Sequence, residues 1–219
     1  MNAGFVAIWL ITIVIILLVT GWRELVADQV KPSSMTLLIV GCVLLWPFYV
    51  TLHREWLPPA GGTVSLSACW LTVWAIAAVL FNRPKGSLQR FYMIVAALLS
   101  SLMGGWLRLL YMNDPVLIIG HSSLDAAILT GAAAALSAPI QSQSLFAVVT
   151  IASVLQPLVM GWFAPAVAWR PVEIGSLAWW DGYMAALLSS RLMGLCIRVI
   201  KSAASKWFYP PEGEQEGGV

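Results

Sequence analysis

Seven apolar stretches occupy nearly the whole chain, and short polar connections separate them. A spanning α-helix needs about 20 mostly apolar residues to cross the hydrocarbon of a bilayer. Helices on a soluble core usually carry a polar stripe, which these stretches mostly lack. The pattern predicts an all-α, polytopic transmembrane helical bundle of about seven spans: Ala3–Trp22, Met35–Leu52, Thr63–Phe81, Phe91–Tyr111, Val116–Ala138, Ser144–Phe163 and Ser176–Ile200.

Composition leads to the same fold class. Hydrophobic residues make up 60% of the chain and charged residues 10%, which is far from the balance of a soluble domain. We predict that residues 1–200 form the bundle and that residues 201–219 form a cytoplasmic, largely disordered tail, because the end of the chain is acidic and rich in glycine. The expected partners are the lipid bilayer and another membrane protein or a second copy of the chain. Basic residues are few and dispersed, so nucleic-acid binding is not expected.

The positions of lysine and arginine predict the orientation. Loops on the cytoplasmic side carry an excess of these residues. If the N-terminus is outside, the outer loops hold only Arg54 and Arg170, and the inner side holds Arg23, Lys31, Arg83, Lys85, Arg90, Arg198, Lys201 and Lys206. We therefore predict a multi-pass protein of the bacterial cytoplasmic membrane, with the N-terminus out and the C-terminus in.

The fifth stretch is the least certain span in this topology. It contains His121 and Asp125, and an acid near a helix centre costs about 2.5–3.5 kcal/mol on insertion scales. Its aliphatic residues roughly offset that cost, so the helix depends on its neighbours. A re-entrant segment is the alternative, and it would move the C-terminal tail outside. We keep the stretch as a span.

Small residues at helical spacing predict how the helices pack. Lipid is as apolar as leucine, so helices associate through close packing and buried hydrogen bonds. We predict that helices four, five and seven pack together at the centre, that helix one is peripheral, and that Pro47 and Pro157 kink helices two and six. Pro157 should also leave a backbone carbonyl near Ser153 without its amide partner. The packing residues are Gly182, Ala186, Ser190 and Gly194 in helix seven, and Ala96, Ser100 and Gly104 in helix four.

A polar constellation inside the apolar stretches is the candidate functional site. Ionisable residues in a membrane are costly, so they tend to face the bundle interior and to have a role. In one interpretation the arginines neutralise the acids and determine which helices are neighbours. In the other, Asp125 and His121 form a protonatable site in a water-accessible cavity. The candidates are Asp125, His121, Arg108, Asp181, Gln156 and Arg191.

Catalytic chemistry receives little support from the sequence. The chain has no HExxH, no Gly-x-Ser-x-Gly and no phosphate-binding glycine loop. The run from His121 to Asp125 contains the residue types of a triad, but on a regular helix Ser122 and Ser123 would point away from the imidazole. Cys42, Cys69 and Cys196 lack CxxC spacing and are interpreted as packing residues. We predict no enzymatic activity, no metal and no cofactor.

Two short motifs carry a resemblance to a known family. Asp114-Pro115-Val116 precedes the fifth stretch, and Glu173-Ile174-Gly175-Ser176 precedes an acid-bearing last helix. With the size and the multi-helix plan, this resembles the YphA-type membrane proteins of spore-forming Gram-positive bacteria. The resemblance implies a bacterial cell membrane and a sporulation context, and it implies no reaction.

These observations leave three classes of function. The leading hypothesis is a non-catalytic accessory or assembly component of the bacterial cell membrane. The alternative is a carrier or channel for a small solute or ion, coupled to protons through Asp125 and His121. An intramembrane enzyme comes third, since it would need a nucleophile near His121.

Overall fold

The protein is described from a computed structural model, which covers residues 2–22, 30–52, 61–81, 87–163 and 171–208. Within these ranges the chain forms seven α-helices, one short 3₁₀ turn at Pro115–Leu117 and three short strands. The helices are α1 Phe5–Val19, α2 Pro32–Leu45, α3 Leu66–Phe81, α4 Ser87–Asn113, α5 Ser122–Ser137, α6 Ser142–Phe163 and α7 Leu177–Phe208. The strands are β1 Tyr49–Leu52, β2 Gly62–Ser65 and β3 Val172–Ile174.

Each predicted stretch overlaps one of these helices, so the prediction of a predominantly helical fold is confirmed. Three helices, α4, α6 and α7, are long and apolar enough to cross a membrane. The other four have 14 to 16 residues, or about 21–24 Å at 1.5 Å per residue, which is less than the roughly 30 Å of hydrocarbon. They are shorter than predicted because the ends of their stretches form turns and strands.

A three-stranded sheet uses the ends of two predicted spans. β1 pairs antiparallel with β2, with Tyr49 opposite Ser65. β2 pairs in parallel with β3, with Gly62 opposite Val172. The sheet therefore joins the α2–α3 connection to the start of α7, and it places both at one end of the bundle, called here the sheet end.

Pro47 ends a helix rather than kinking one. α2 stops at Leu45, and the chain turns before β1 begins at Tyr49. Pro47 has no N–H to donate to the carbonyl of Val43, so the helical hydrogen-bond ladder cannot continue through it. α6, in contrast, continues through Pro157 to Phe163.

The centre of the bundle differs from the prediction. α6 packs against α3, α4, α5 and α7, and the most extensive helix pair is α5 with α7. α4 packs on α5 and α6, but it is not among the helices that pack extensively on α7. Helices four and seven thus do not pack extensively on each other, which the predicted centre required. α1 lies at the periphery as predicted, and α7 is the helix on which it packs extensively.

Small residues form the interior and large apolar residues form the exterior. Alanine is the commonest apolar residue of the described core, and buried serines and threonines accompany it. Large apolar side chains on α1, α2, α4 and α7 are exposed, with Val19, Trp106 and Ile200 all more than 60% exposed. A soluble protein rarely exposes so much contiguous apolar surface. This distribution suits a protein whose exterior contacts lipid.

The last helix extends into the predicted tail. α7 continues to Phe208, so residues 201–208 are helical, and residues 209–219 lie outside the described residues. Trp179 and Trp180, at the start of this helix, are buried beside Tyr183. Among the basic residues used for the orientation, Arg23, Arg54, Arg83, Lys85 and Arg170 fall outside the described ranges.

Candidate ligand-binding chamber

A small polar cavity lies where α4, α5, α6 and α7 meet. Its volume is about 10 Å³, which is room for about one water-sized particle. We call it the Arg108 chamber. Its polar and aromatic lining is Arg108, Thr130, Ser153, Gln156, Trp179 and Tyr183, and its small residues are Ala127, Gly182 and Ala186.

α4 contributes a cation and the space beside it. Gly104 and Arg108 are four residues apart and therefore share one face of the helix. A Cβ at position 104 would overlap Thr130 Oγ1 and would lie 2.8 Å from Gln156 Nε2. A Cβ at position 182 on α7 would lie 3.3 Å from Arg108 Nη2. Gly104 thus allows polar side chains of α5 and α6 to approach α4, and Gly182 allows Arg108 of α4 to approach α7.

Pro157 shapes the α6 side of the chamber. Proline has no N–H, so the carbonyl of residue 153 loses its usual helical partner. The indole N–H of Trp179 donates to that carbonyl at 3.0 Å. The carbonyl that was predicted to be free near Ser153 is therefore the acceptor of this hydrogen bond, and Trp179 on α7 is its donor. This bond places Ser153 and Gln156, one turn apart on α6, against Trp179.

Two hydroxyl groups in the lining already donate their protons to protein acceptors. Thr130 Oγ1 donates to the Ala126 carbonyl at 2.7 Å. Thr150 donates to the Phe146 carbonyl at 2.7 Å, so the Tyr183 hydroxyl, 2.9 Å from Thr150 Oγ1, is the donor in that pair. Tyr183 also stacks on Trp179, with ring centroids 5.0 Å apart. These bonds hold the chamber wall in one arrangement.

Two other donors of the chamber residues have no acceptor in the part of the chain that the structure describes. Among the described residues, nothing accepts a hydrogen bond from Arg108 Nε or Gln156 Nε2, and both atoms are buried. Gln156 is only 4% exposed. An unpaired buried donor costs about 1–3 kcal/mol, and more when it is charged. Native proteins seldom leave such groups unpaired, so each one calls for an explanation.

Asp181 belongs to a different structural feature. Its carboxylate accepts the backbone N–H of Gly4 at 2.7 Å and that of Ala7 at 2.7 Å. These are free donors of the first turn of α1, and a carboxylate there also interacts favourably with the helix dipole. Asp181 therefore caps α1 from a distant part of the chain, and the structure does not pair it with Arg108.

Asp125 and His121 lie outside the chamber, where α5 begins. The helix starts at Ser122, so His121 precedes it in extended conformation. Asp125 Oδ2 accepts the N–H groups of Ile119 at 2.9 Å and Gly120 at 3.0 Å. These bonds close a turn in place of the first part of the predicted span. His121 Nδ1 lies 2.8 Å from Ser123 Oγ, so the expectation that Ser123 points away from the imidazole is wrong, because His121 is not helical.

Arg191 lies toward the other end of the bundle. It donates to Ser142 Oγ at 2.7 Å, and Arg198 donates to the Ile140 carbonyl at 2.6 Å. Arg191 thus attaches α7 to the first residue of α6, and Arg198 attaches it to the α5–α6 connection. The small residues named as packing positions, Ala96, Ser100, Gly104, Gly182, Ala186, Ser190 and Gly194, are all buried.

The structure therefore joins only Arg108 and Gln156 of the predicted constellation. The sequence alone does not predict that these two residues have Thr130, Ser153, Trp179 and Tyr183 as neighbours. The free carbonyl predicted at Ser153 was the one local signal that pointed to the chamber. Thr130 and Tyr183 carried no such signal, because hydroxyl groups in apolar helices commonly bond to their own backbone.

Comparison with known proteins adds no family to these observations. No protein-family model, no curated protein and no solved structure matches the chain.

Proposed function

We propose that the chain is a multi-pass protein of the bacterial cell membrane, with all seven helices crossing and the N-terminus outside. The sheet links connections that would lie on the outer side, and Asp181 holds the start of α1 near the start of α7. Arg191 and Arg198 hold the α5–α6 connection at the opposite end. The described basic residues Lys31, Arg90, Arg198 and Lys201 belong to that opposite end, as cytoplasmic residues should. Local thinning of the bilayer would accommodate the shorter helices.

We further propose that the protein acts by binding a small ligand in the Arg108 chamber, as a non-catalytic accessory component. One observation carries this proposal: Arg108 and Gln156 line a cavity built by four helices, and each has a buried donor without an acceptor among the described residues. A purely structural arginine would be expected to bond a carboxylate or a carbonyl, as Arg198 does. The YphA-type resemblance is consistent with this location and names no ligand.

A carrier is the second candidate, and the size of the chamber limits which solutes it could transport. Space for about one water-sized particle does not accommodate an organic solute in this conformation. A carrier would therefore move an ion. Asp125 and His121 are not part of this proposal, because Asp125 bonds to backbone amides outside the chamber.

Cysteine labelling tests whether the chamber admits a ligand. In a variant with Cys42, Cys69 and Cys196 replaced by serine, Ser153→Cys introduces a thiol into the lining. Silver ions, which are single atoms that bind thiols, are then applied to intact cells in nitrate medium, and the thiols that remain free are counted with a maleimide after denaturation. We expect Ser153→Cys to react more slowly than Asn113→Cys, which is exposed at the end of α4, because the chamber must open first.

Ser101→Cys is the matched control, because Ser101 is fully buried in α4 and does not line the chamber. It should stay unlabelled. A Ser153→Cys variant that folds and is as protected as Ser101→Cys would overturn the binding proposal. Reporter fusions test the topology separately: a C-terminal reporter that is active outside the cytoplasm would overturn the seven-span arrangement.

A further inference from the structure

We infer that the ligand of the Arg108 chamber is a single halide ion, with chloride as the physiological candidate. This inference rests on the proposed binding function and names its ligand class. Three features carry it: an uncompensated cation, the size of the cavity, and the donors that surround it.

The charge of Arg108 requires a counter-charge. An arginine stays protonated in proteins, and an unpaired charge inside a low-dielectric bundle is strongly unfavourable. The acids nearest in the topology are engaged elsewhere: Asp181 caps α1, and Asp125 binds the turn before α5. The described lining includes no carboxylate. No described residue therefore supplies the counter-charge, and an anion bound in the chamber would supply it.

The size of the chamber limits that anion to one atom. A volume of about 10 Å³ corresponds to about one water-sized sphere. Chloride and bromide are single atoms but larger than water, so the side chains must move outward to admit them. Carboxylates, phosphate and sulfate have several heavy atoms and would require the four helices to separate.

The donors form a binding set for such an ion. Arg108 Nε–H and the Gln156 amide are buried without acceptors, and the hydroxyl of Ser153, 8% exposed, lines the same space. A bound water would accept from two of these donors, but it would leave the guanidinium charge without compensation. A halide accepts from all three and neutralises the charge.

Thermal unfolding of the purified full-length protein in detergent tests this inference. Sodium gluconate is replaced stepwise by sodium chloride at constant ionic strength, and parallel series use bromide, formate and sulfate. A ligand that binds only the folded state raises the unfolding temperature in a saturable manner. We expect saturation with chloride and bromide only. Binding of radioactive chloride, measured by scintillation proximity, supplies the dissociation constant directly.

Two variants test whether the chloride dependence of the unfolding temperature arises from binding in the chamber. Arg108→Met should abolish the chloride dependence, and Gln156→Leu should weaken chloride binding about tenfold or more, because one bond to a charged group is lost. Arg198→Gln is the matched control: it removes a cation that bonds to the Ile140 carbonyl, and it should keep the wild-type chloride dependence.

The outcomes separate the ligand class from the binding function. Saturation by halides that disappears in Arg108→Met supports the inference. A saturable shift with formate or sulfate and none with halides would overturn the halide assignment and leave the binding function standing. If no anion shifts the wild type while Ser153→Cys is labelled, a water-filled chamber replaces the halide site. If no anion acts and Ser153→Cys is protected, both proposals fail.

Discussion

The contact between Asp181 and the start of α1 yields a sharp prediction about how the first helix is held. α1 packs on α7, and most of its large apolar side chains face outward. Asp181 supplies two hydrogen bonds at 2.7 Å to its first turn, at Gly4 and Ala7. Asp181→Ala removes both acceptors and leaves two helix N–H groups without partners. We expect α1 to detach locally while the remaining bundle stays folded.

The expected loss of docking free energy follows from the type of hydrogen bond that is removed. A hydrogen bond to a charged group contributes about 1.5–3 kcal/mol, so the loss of two bonds weakens docking of the first turn by at least about 3 kcal/mol. The helix dipole adds a smaller term of the same sign. A change of about 3 kcal/mol corresponds to a roughly 100-fold larger population of the detached state. Asp181→Asn keeps a neutral acceptor, and its effect should be about tenfold.

Hydrogen exchange followed by mass spectrometry, on protein in lipid nanodiscs, measures this population. The peptide that contains Gly4 and Ala7 should exchange about 100-fold faster in Asp181→Ala, while peptides from α5 and α6 are unchanged. Ser189→Ala is the control, because Ser189 on the same helix bonds to the Ile128 carbonyl of α5 and does not contact α1. Equal protection of the α1 peptide in wild type and Asp181→Ala would refute the capping role.

Three further variants test other contacts of the bundle. Gly131→Ala should destabilise the protein by more than about 2 kcal/mol in thermal unfolding, because its Cβ would overlap the backbone carbonyl of Ala186 and overpacking against backbone is costly. Trp179→Phe should cost about 1–3 kcal/mol, since the Ser153 carbonyl loses its donor. Asp125→Asn should cost about 1 kcal/mol by weakening the start of α5, with chloride binding unchanged.

Each of these variants has a control and a contrary result. Gly105→Ala adds the same methyl group to a buried glycine whose nearest neighbour is a side chain, Val159, at 3.3 Å, and it should cost less than Gly131→Ala. Equal costs would argue against a backbone contact. A Trp179→Phe variant as stable as wild type would remove the role of the indole N–H. Loss of chloride binding in Asp125→Asn would show that Asp125 contributes to the binding site.

Local chain chemistry was sufficient to predict the helices and part of the chamber. The apolar stretches predicted seven helices because helix formation depends on a continuous run of suitable residues. Small residues at i, i+4 spacing predicted buried faces, and Gly104 and Gly182 indeed lie where side chains of other helices approach closely. The missing N–H of Pro157 predicted the free carbonyl at Ser153, because that loss is a property of the proline itself.

Only the tertiary structure decided how the polar groups are used. Asp181 meets Gly4 across 177 positions of sequence, and β2 pairs with β3 from a distant segment. Asp125 satisfies backbone amides that are exposed only because the chain turns before α5. Charge alone suggested that these acids would neutralise Arg108, but a carboxylate can bond equally well to a free backbone N–H. Which acceptor it reaches depends on packing between helices, and this packing leaves Arg108 facing a chamber without an acid.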